Sequence, residues 1–184
     1  MKGFGNNDSS KKKLIEKKIN SLQKDKLISN ALSLHSNGKI KEALEIYNFL
    51  IQNKIFDPRI FNNLGSIYSQ IKKFDKAILL FDESINKFPN CLEAYSNLAN
   101  VLIAQGKSDD AKTILNKAIE LNPKYLRSYS ILAGILVGEA NLEKAKFLLK
   151  KSLEINPKDI NALVNLACVL KDSGDPKQAE ILLK

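Results

Sequence analysis

Apolar residues recur along this chain at helical spacing, and the pattern itself recurs every 34 residues. Leu64, Leu98, Leu132 and Leu166 form one ladder at that step, each followed by a small residue: Gly65, Ala99, Ala133 and Ala167. Ala43, Ala77, Ala111, Ala145 and Ala179 form a second, and Ser84, Ala118 and Ser152 a third. Phe61, Tyr95, Tyr129 and Leu163 mark the start of each unit, and Tyr47, Phe81, Leu115, Leu149 and Leu183 fill one late position. Pro89, Pro123 and Pro157 close three of the periodic runs, since proline cannot continue a helix. In the unit from Pro58, Phe61, Leu64 and Tyr68 share one side of a first helix, and Ala77, Phe81 and Ile85 one side of a second. Gly65 and Ala77 are small enough for the two helix backbones to approach.

These periods predict an all-α fold, an α-solenoid of antiparallel helix pairs with a 34-residue period. One pair cannot bury its apolar face alone, so neighbouring pairs must stack. The units are read as 24–57, 58–91, 92–125, 126–159 and 160–184, the last incomplete, after a basic leader over 1–23. Helices should turn over near 37–39, 71–73, 105–107, 139–141 and 173–175. Gly38, Gly106 and Gly174 supply the positive φ that such a turn needs. Lys72 and Ala140 stand at the same position in their units, where a looser turn is expected. The first unit is atypical, with Leu27, Asn30 and Ile55 in place of a large aromatic, Leu and Pro, as suits a cap.

Phe61, Leu64, Gly65, Tyr68, Ala77, Phe81, Ser84 and Pro89 form a set that resembles the signature of the tetratricopeptide repeat (TPR) family. Tyr95, Leu98, Ala99, Gly106, Ala111, Leu115, Ala118 and Pro123 repeat it. The resemblance spans residues 24–184. It implies a superhelix whose first helices line a concave surface, and a protein-interaction scaffold that holds a peptide or helix in that groove.

Candidate binding residues follow from the same register. Asn63, Asn97 and Asn165 stand directly before ladder leucines, Ile131 interrupts the row, and Asn100 lies on the face of Asn97. A carboxamide both donates to and accepts from a peptide group, so such a row can grip a backbone. It is similar to the asparagine ladder in the TPR superhelix of protein O-linked N-acetylglucosamine transferases. The competing reading is that Asn is simply a common polar choice there. TPR domains that clamp a C-terminal carboxylate use lysines and an arginine on these helices; the comparable positions here hold Asn62, Ser96, Ser130 and Val164. That clamp is largely absent, which leaves Arg59 and Arg127, near the helix starts, to meet an acidic ligand.

Charge changes this picture little. The net charge is +9, of which residues 1–23 carry +4 through six lysines against Asp8 and Glu16. Arg59 and Arg127 are the only arginines. Reading phosphates and bases favours the arginine fork, so the lysine excess points to solubility and no nucleic-acid partner is expected. No run of about 18 apolar residues occurs, so no integral membrane contact is expected. The opening residues lack a secretory signal, and the expected location is cytoplasmic. Cys91 and Cys168 are read as reduced packing residues, and His35 as a surface residue. No phosphate loop, dinucleotide fingerprint or paired-cysteine motif occurs, so no catalytic residue, metal or cofactor is expected. The acidic pairs Asp82-Glu83 and Asp109-Asp110 read as solvated faces, and Gly134 to Gly138 as close helix packing within the fourth unit.

The two ends carry separate expectations. Residues 1–10 read as disordered, and Leu14, Ile15, Ile19 and Leu22 as one face of a helical leader packing weakly on the first repeat. The ladder stops within a second helix, which points to a fragment or the N-terminal part of a longer protein. An uncapped flank at Leu182 and Leu183 would self-associate weakly. The alternative function is the substrate-recognition module of a larger enzyme. The Met1-Lys2-Gly3-Phe4-Gly5 lead with Lys11-Lys12-Lys13 is similar to the opening of some bacterial TPR proteins in which a glycosyltransferase or sulfotransferase domain follows.

Overall fold

The computed structural model describes residues 20–182, which hold ten helices and no strand. The expected helical leader over Leu14, Ile15 and Ile19, like the expected disorder of residues 1–10, falls outside the described residues, as does Leu183. The chain divides into two compact units, one ending at Phe56 and one beginning at Asp57.

The first unit is the pair α1 (Ser21–Ser36) and α2 (Ile40–Gln52), packed against each other. Asn20 starts α1 with a capping box: its side chain accepts from the backbone N–H of Gln23, whose side chain accepts from Asn20 N–H. The helix thus begins at Ser21, just after a definite cap, three residues before the expected repeat boundary at 24. Ile28, Ala31, Ala43, Tyr47 and Leu50 are buried, and Leu22 is exposed. Where the second helices of later repeats are followed by proline, α2 is followed by Lys54 in the left-handed region (φ 56°).

The second unit holds four pairs: α3 (Pro58–Gln70) with α4 (Phe74–Lys87), α5 (Leu92–Ala104) with α6 (Ser108–Leu121), α7 (Leu126–Gly138) with α8 (Leu142–Ile155), and α9 (Ile160–Asp172) with α10 (Pro176–Leu182). Each first helix packs on its own second helix, which packs on the next first helix. The first helices α3, α5, α7 and α9 also meet in succession; among the described residues the backbones of successive second helices stay farther apart. The first helices therefore form the tighter inner layer of this unit. The predicted ladders are its core. Ala77, Ala111 and Ala145 are fully buried, Phe81, Leu115 and Leu149 lie beside them, and Leu98, Leu132 and Leu166 fill the layer between. Gly65 makes room for a ring rather than for a backbone: its missing side chain faces the Phe81 ring.

All five turns fall where the period places them. Lys72 (φ 58°) and Ala140 (φ 57°) adopt the same left-handed conformation as Gly38 and Gly106. Their turns are not looser. Lys73 N–H donates to Tyr68 O at 2.8 Å and Asn141 N–H to Leu136 O at 2.8 Å, against 2.9 Å for Lys107 to Leu102. The non-glycine residue meets the demand as backbone strain rather than as an opened turn. Gly134 and Gly138 depart from expectation in the other direction: both are exposed, and a Cβ on either would meet nothing within 4 Å. Ile135 and Leu136, between them, make the packing contacts of this segment.

Candidate functional site on the inner helix layer

The inner layer of the second unit presents one side of each first helix. The start of each helix sets the register. Asp57 caps α3 and Asp159 caps α9, the latter accepting from the backbone N–H of Asn161 and Ala162 at 3.1 and 3.4 Å. Cys91 and Tyr125 occupy the same place before α5 and α7 and meet the preceding first helix instead. Asn62 Nδ2 donates to Cys91 Sγ at 3.2 Å, and Ser96 Oγ to Tyr125 Oη at 3.3 Å. Those two bonds tie consecutive units together at one edge of the layer. Sequence reading missed this row because its residue type changes from unit to unit, although its 34-residue spacing was visible.

The candidate residues divide. Asn97 on α5 is half-buried, and its Oδ1 accepts from Arg127 Nη2 on α7 at 3.4 Å. Arg127 then borders a cleft of about 580 Å³ between α7 and α9, together with Ser130, Ile131, Asp159, Asn161 and Asn165. Three of the expected residues, Asn97, Arg127 and Asn165, thus line one continuous path across three units. Ile131, which interrupts the asparagine row, gives the cleft an apolar wall. Asn161 was not anticipated; it stands one repeat after Arg127, a relation that identity alone does not reveal.

Arg59, Asn63 and Asn100 are placed differently. Arg59 folds back on the cap of its own helix: Nε and Nη2 reach the two oxygens of the nearly buried Asp57 carboxylate, each at 2.9 Å. Its charge serves the helix start. Asn63 is half-buried on α3 and Asn100 exposed on α5, and neither borders the cleft.

Beyond the cleft, α7 and α9 enclose a smaller apolar crevice of about 160 Å³ lined by Ala133, Gly134, Val137, Leu149, Cys168 and Val169, with Asn165 at its edge. Cys168 is exposed there, not a packing residue, and both cysteines are free thiols. Among the described residues no group of three His, Cys, Asp or Glu side chains could hold a metal ion, and no helix is long and apolar enough to cross a membrane.

Family models of the tetratricopeptide repeat match residues 70–135, 126–159 and 148–181. The chain belongs to the tetratricopeptide repeat family. Solved structures share the TPR fold. The chain is similar to a thermophilic TPR protein of Thermus thermophilus (17% identity, 86% of this chain and 87% of that one, TM-score 0.70). It is similar to MamA of Desulfovibrio magneticus (22% identity, 90% and 93%, TM-score 0.69). YrrB, described as a TPR protein with an unusual peptide-binding site, is similar at 19% identity over 96% of this chain and 89% of that one, with a TM-score of 0.64. No curated protein matches by sequence. The TPR architecture is that of a protein-interaction scaffold.

Proposed function

We propose that this TPR chain binds an extended peptide segment of another protein along the inner face of α5, α7 and α9. The observation that carries this reading is the path from Asn97 through Arg127 into the cleft bordered by Asn161 and Asn165. Its amides match peptide N–H and C=O groups, its arginine matches a carboxylate or a backbone carbonyl, and Ile131 and Leu126 offer contact to one apolar side chain. Such a surface reads mainly backbone, with weak sequence preference. YrrB, with the same fold, has a peptide-binding site, which supports the class of ligand.

The test is a selection of binders from a random peptide library on the whole chain, followed by amide hydrogen-exchange footprinting with the best binder. Protection confined to the inner face of α5, α7 and α9 supports the reading. Binders that protect only the second helices, or a library that returns none, would remove it.

A further inference from the structure

The outer face carries its own row. One position recurs on α4, α6, α8 and α10 as Leu79, Thr113, Phe147 and Ile181. Three of these are large apolar side chains held out to solvent: Leu79 is 69% exposed, Phe147 59% and Ile181 72%. Helical spacing fixes their neighbours, one turn before and after. Leu79 is surrounded by Asp75, Asp82, Glu83 and Lys76, so carboxylates dominate. Phe147 is surrounded by Lys144, Lys150, Lys151 and Glu143, so lysines dominate. The same place on two helices of one chain therefore bears opposite charge.

The acidic side has a receptor. A groove of about 270 Å³ runs between α4 and α6, lined by Ile78, Leu98, Leu102 and Ile114, with Asp82 and Asp110 along it. Among the described residues neither of these carboxylates has a cation in ion-pair range. Partial desolvation beside the groove pushes the Asp82 carboxyl above its usual range, although the residue is exposed. The basic side has a knob. Phe147 stands out from α8 with Lys151 Nζ 5.0 Å from its ring centroid, so the aromatic and this cation project together.

We infer that the outer face is a self-association surface, in which Phe147 of one chain enters the α4–α6 groove of a second copy and its lysines meet Asp82 and Asp110. Charge complementarity between the two halves selects a second copy of this chain as the occupant. Groove and knob lie on one row, so two chains facing each other antiparallel satisfy both contacts at once, the arrangement of a two-fold dimer. This surface is built on the second helices, whereas the proposed peptide groove is built on the first helices. A dimer formed here would present two inner faces pointing away from each other.

The test is sedimentation of the whole chain from roughly 10 μM to 1 mM, the range of weak associations. Wild type should pass from monomer to dimer and form nothing larger. Phe147→Ser should weaken the dimer at least about tenfold. Asp82→Lys with Asp110→Lys should leave a monomer, and so should Lys150→Glu with Lys151→Glu. An equimolar mixture of these two charge-reversed chains should dimerise again, because each groove then faces a knob of opposite sign. All five positions are exposed, and melts of each variant establish that it is folded. A wild type that stays monomeric at the top of that range, a ladder of larger species, or a mixture that fails to reassociate would each overturn the inference.

Discussion

A Cβ placed on Gly65 would lie 2.6 Å from Cε1 of Phe81 and 2.8 Å from Cζ, closer than side chains pack. The glycine on α3 and the ring on α4 are a fitted pair, and both sit in the core of their unit. Gly65→Ala should therefore force the ring aside and lower stability by roughly 1–3 kcal/mol. Gly134 is the control: it is helical and exposed, with nothing within 4 Å of an added Cβ, so Gly134→Ala should raise stability by roughly 0.5–1 kcal/mol. Urea titrations of the two variants check this, and shifts of the same sign would show that packing at Gly65 is not as described.

The strained turns predict the reverse substitution. Lys72 and Ala140 hold φ near +57° in turns whose hydrogen bonds match those of the glycine turns. Relieving a left-handed L-residue recovers roughly 1–2 kcal/mol, less what the unfolded chain gains from a more flexible residue. Lys72→Gly and Ala140→Gly should each raise the midpoint of thermal unfolding. A lowered midpoint in both would mean that the strain is already compensated.

Ser84 and Ser152 occupy the ladder position that Ala118 holds in the unit between them. All three are fully buried, and both serine hydroxyls lack a hydrogen-bond partner among the described residues. A buried unsatisfied hydroxyl is costly, so Ser84→Ala and Ser152→Ala should stabilise by roughly 1 kcal/mol each. Their sites are separate, so the double variant should show the sum. Destabilisation in chemical unfolding would show that the hydroxyls are in use.

Binding and folding should separate between the asparagine path and the Arg59 cap. Asn97→Ala with Asn165→Ala removes two amides from the proposed peptide path. It should weaken a selected peptide by roughly 1–3 kcal/mol, about five- to 150-fold, with little change in the melt. Arg59→Ala should do the opposite, sparing affinity and costing roughly 1 kcal/mol of stability, because it releases the Asp57 carboxylate. Calorimetric titration beside a melt distinguishes them. Equal loss of affinity and stability in the asparagine variant would assign that row to structure.

Asp82 sets a sign for pH. Asp82 is exposed but partly desolvated beside the groove, which raises its carboxyl, so the charged form is mildly disfavoured in the folded chain. The folded state then holds its proton longer than the unfolded one, and this group's contribution to stability falls as pH rises through the carboxylate range. Asp82→Asn should stabilise the chain at neutral pH, and the gain should vanish in acid. A gain independent of pH would place its origin elsewhere.

What the sequence determined by itself was everything that the period repeats. The turns at 71–73, 105–107 and 139–141, the alanine and leucine ladders, and the prolines that end α4, α6 and α8 were legible because each unit states them again, and because helix and turn preferences act over a few residues. What only the tertiary structure decided lies between units. That Arg127 reaches Asn97 depends on which residue stands 30 positions away on the neighbouring helix. Arg59 is held instead by Asp57, two residues before it, an acid that has no counterpart at Cys91 or Tyr125. The same holds for Gly134, whose open surroundings follow from the spacing of α7 and α9, and for the groove between α4 and α6. Local periodicity places a side chain on a face; only the packing of one repeat on the next determines what that face meets.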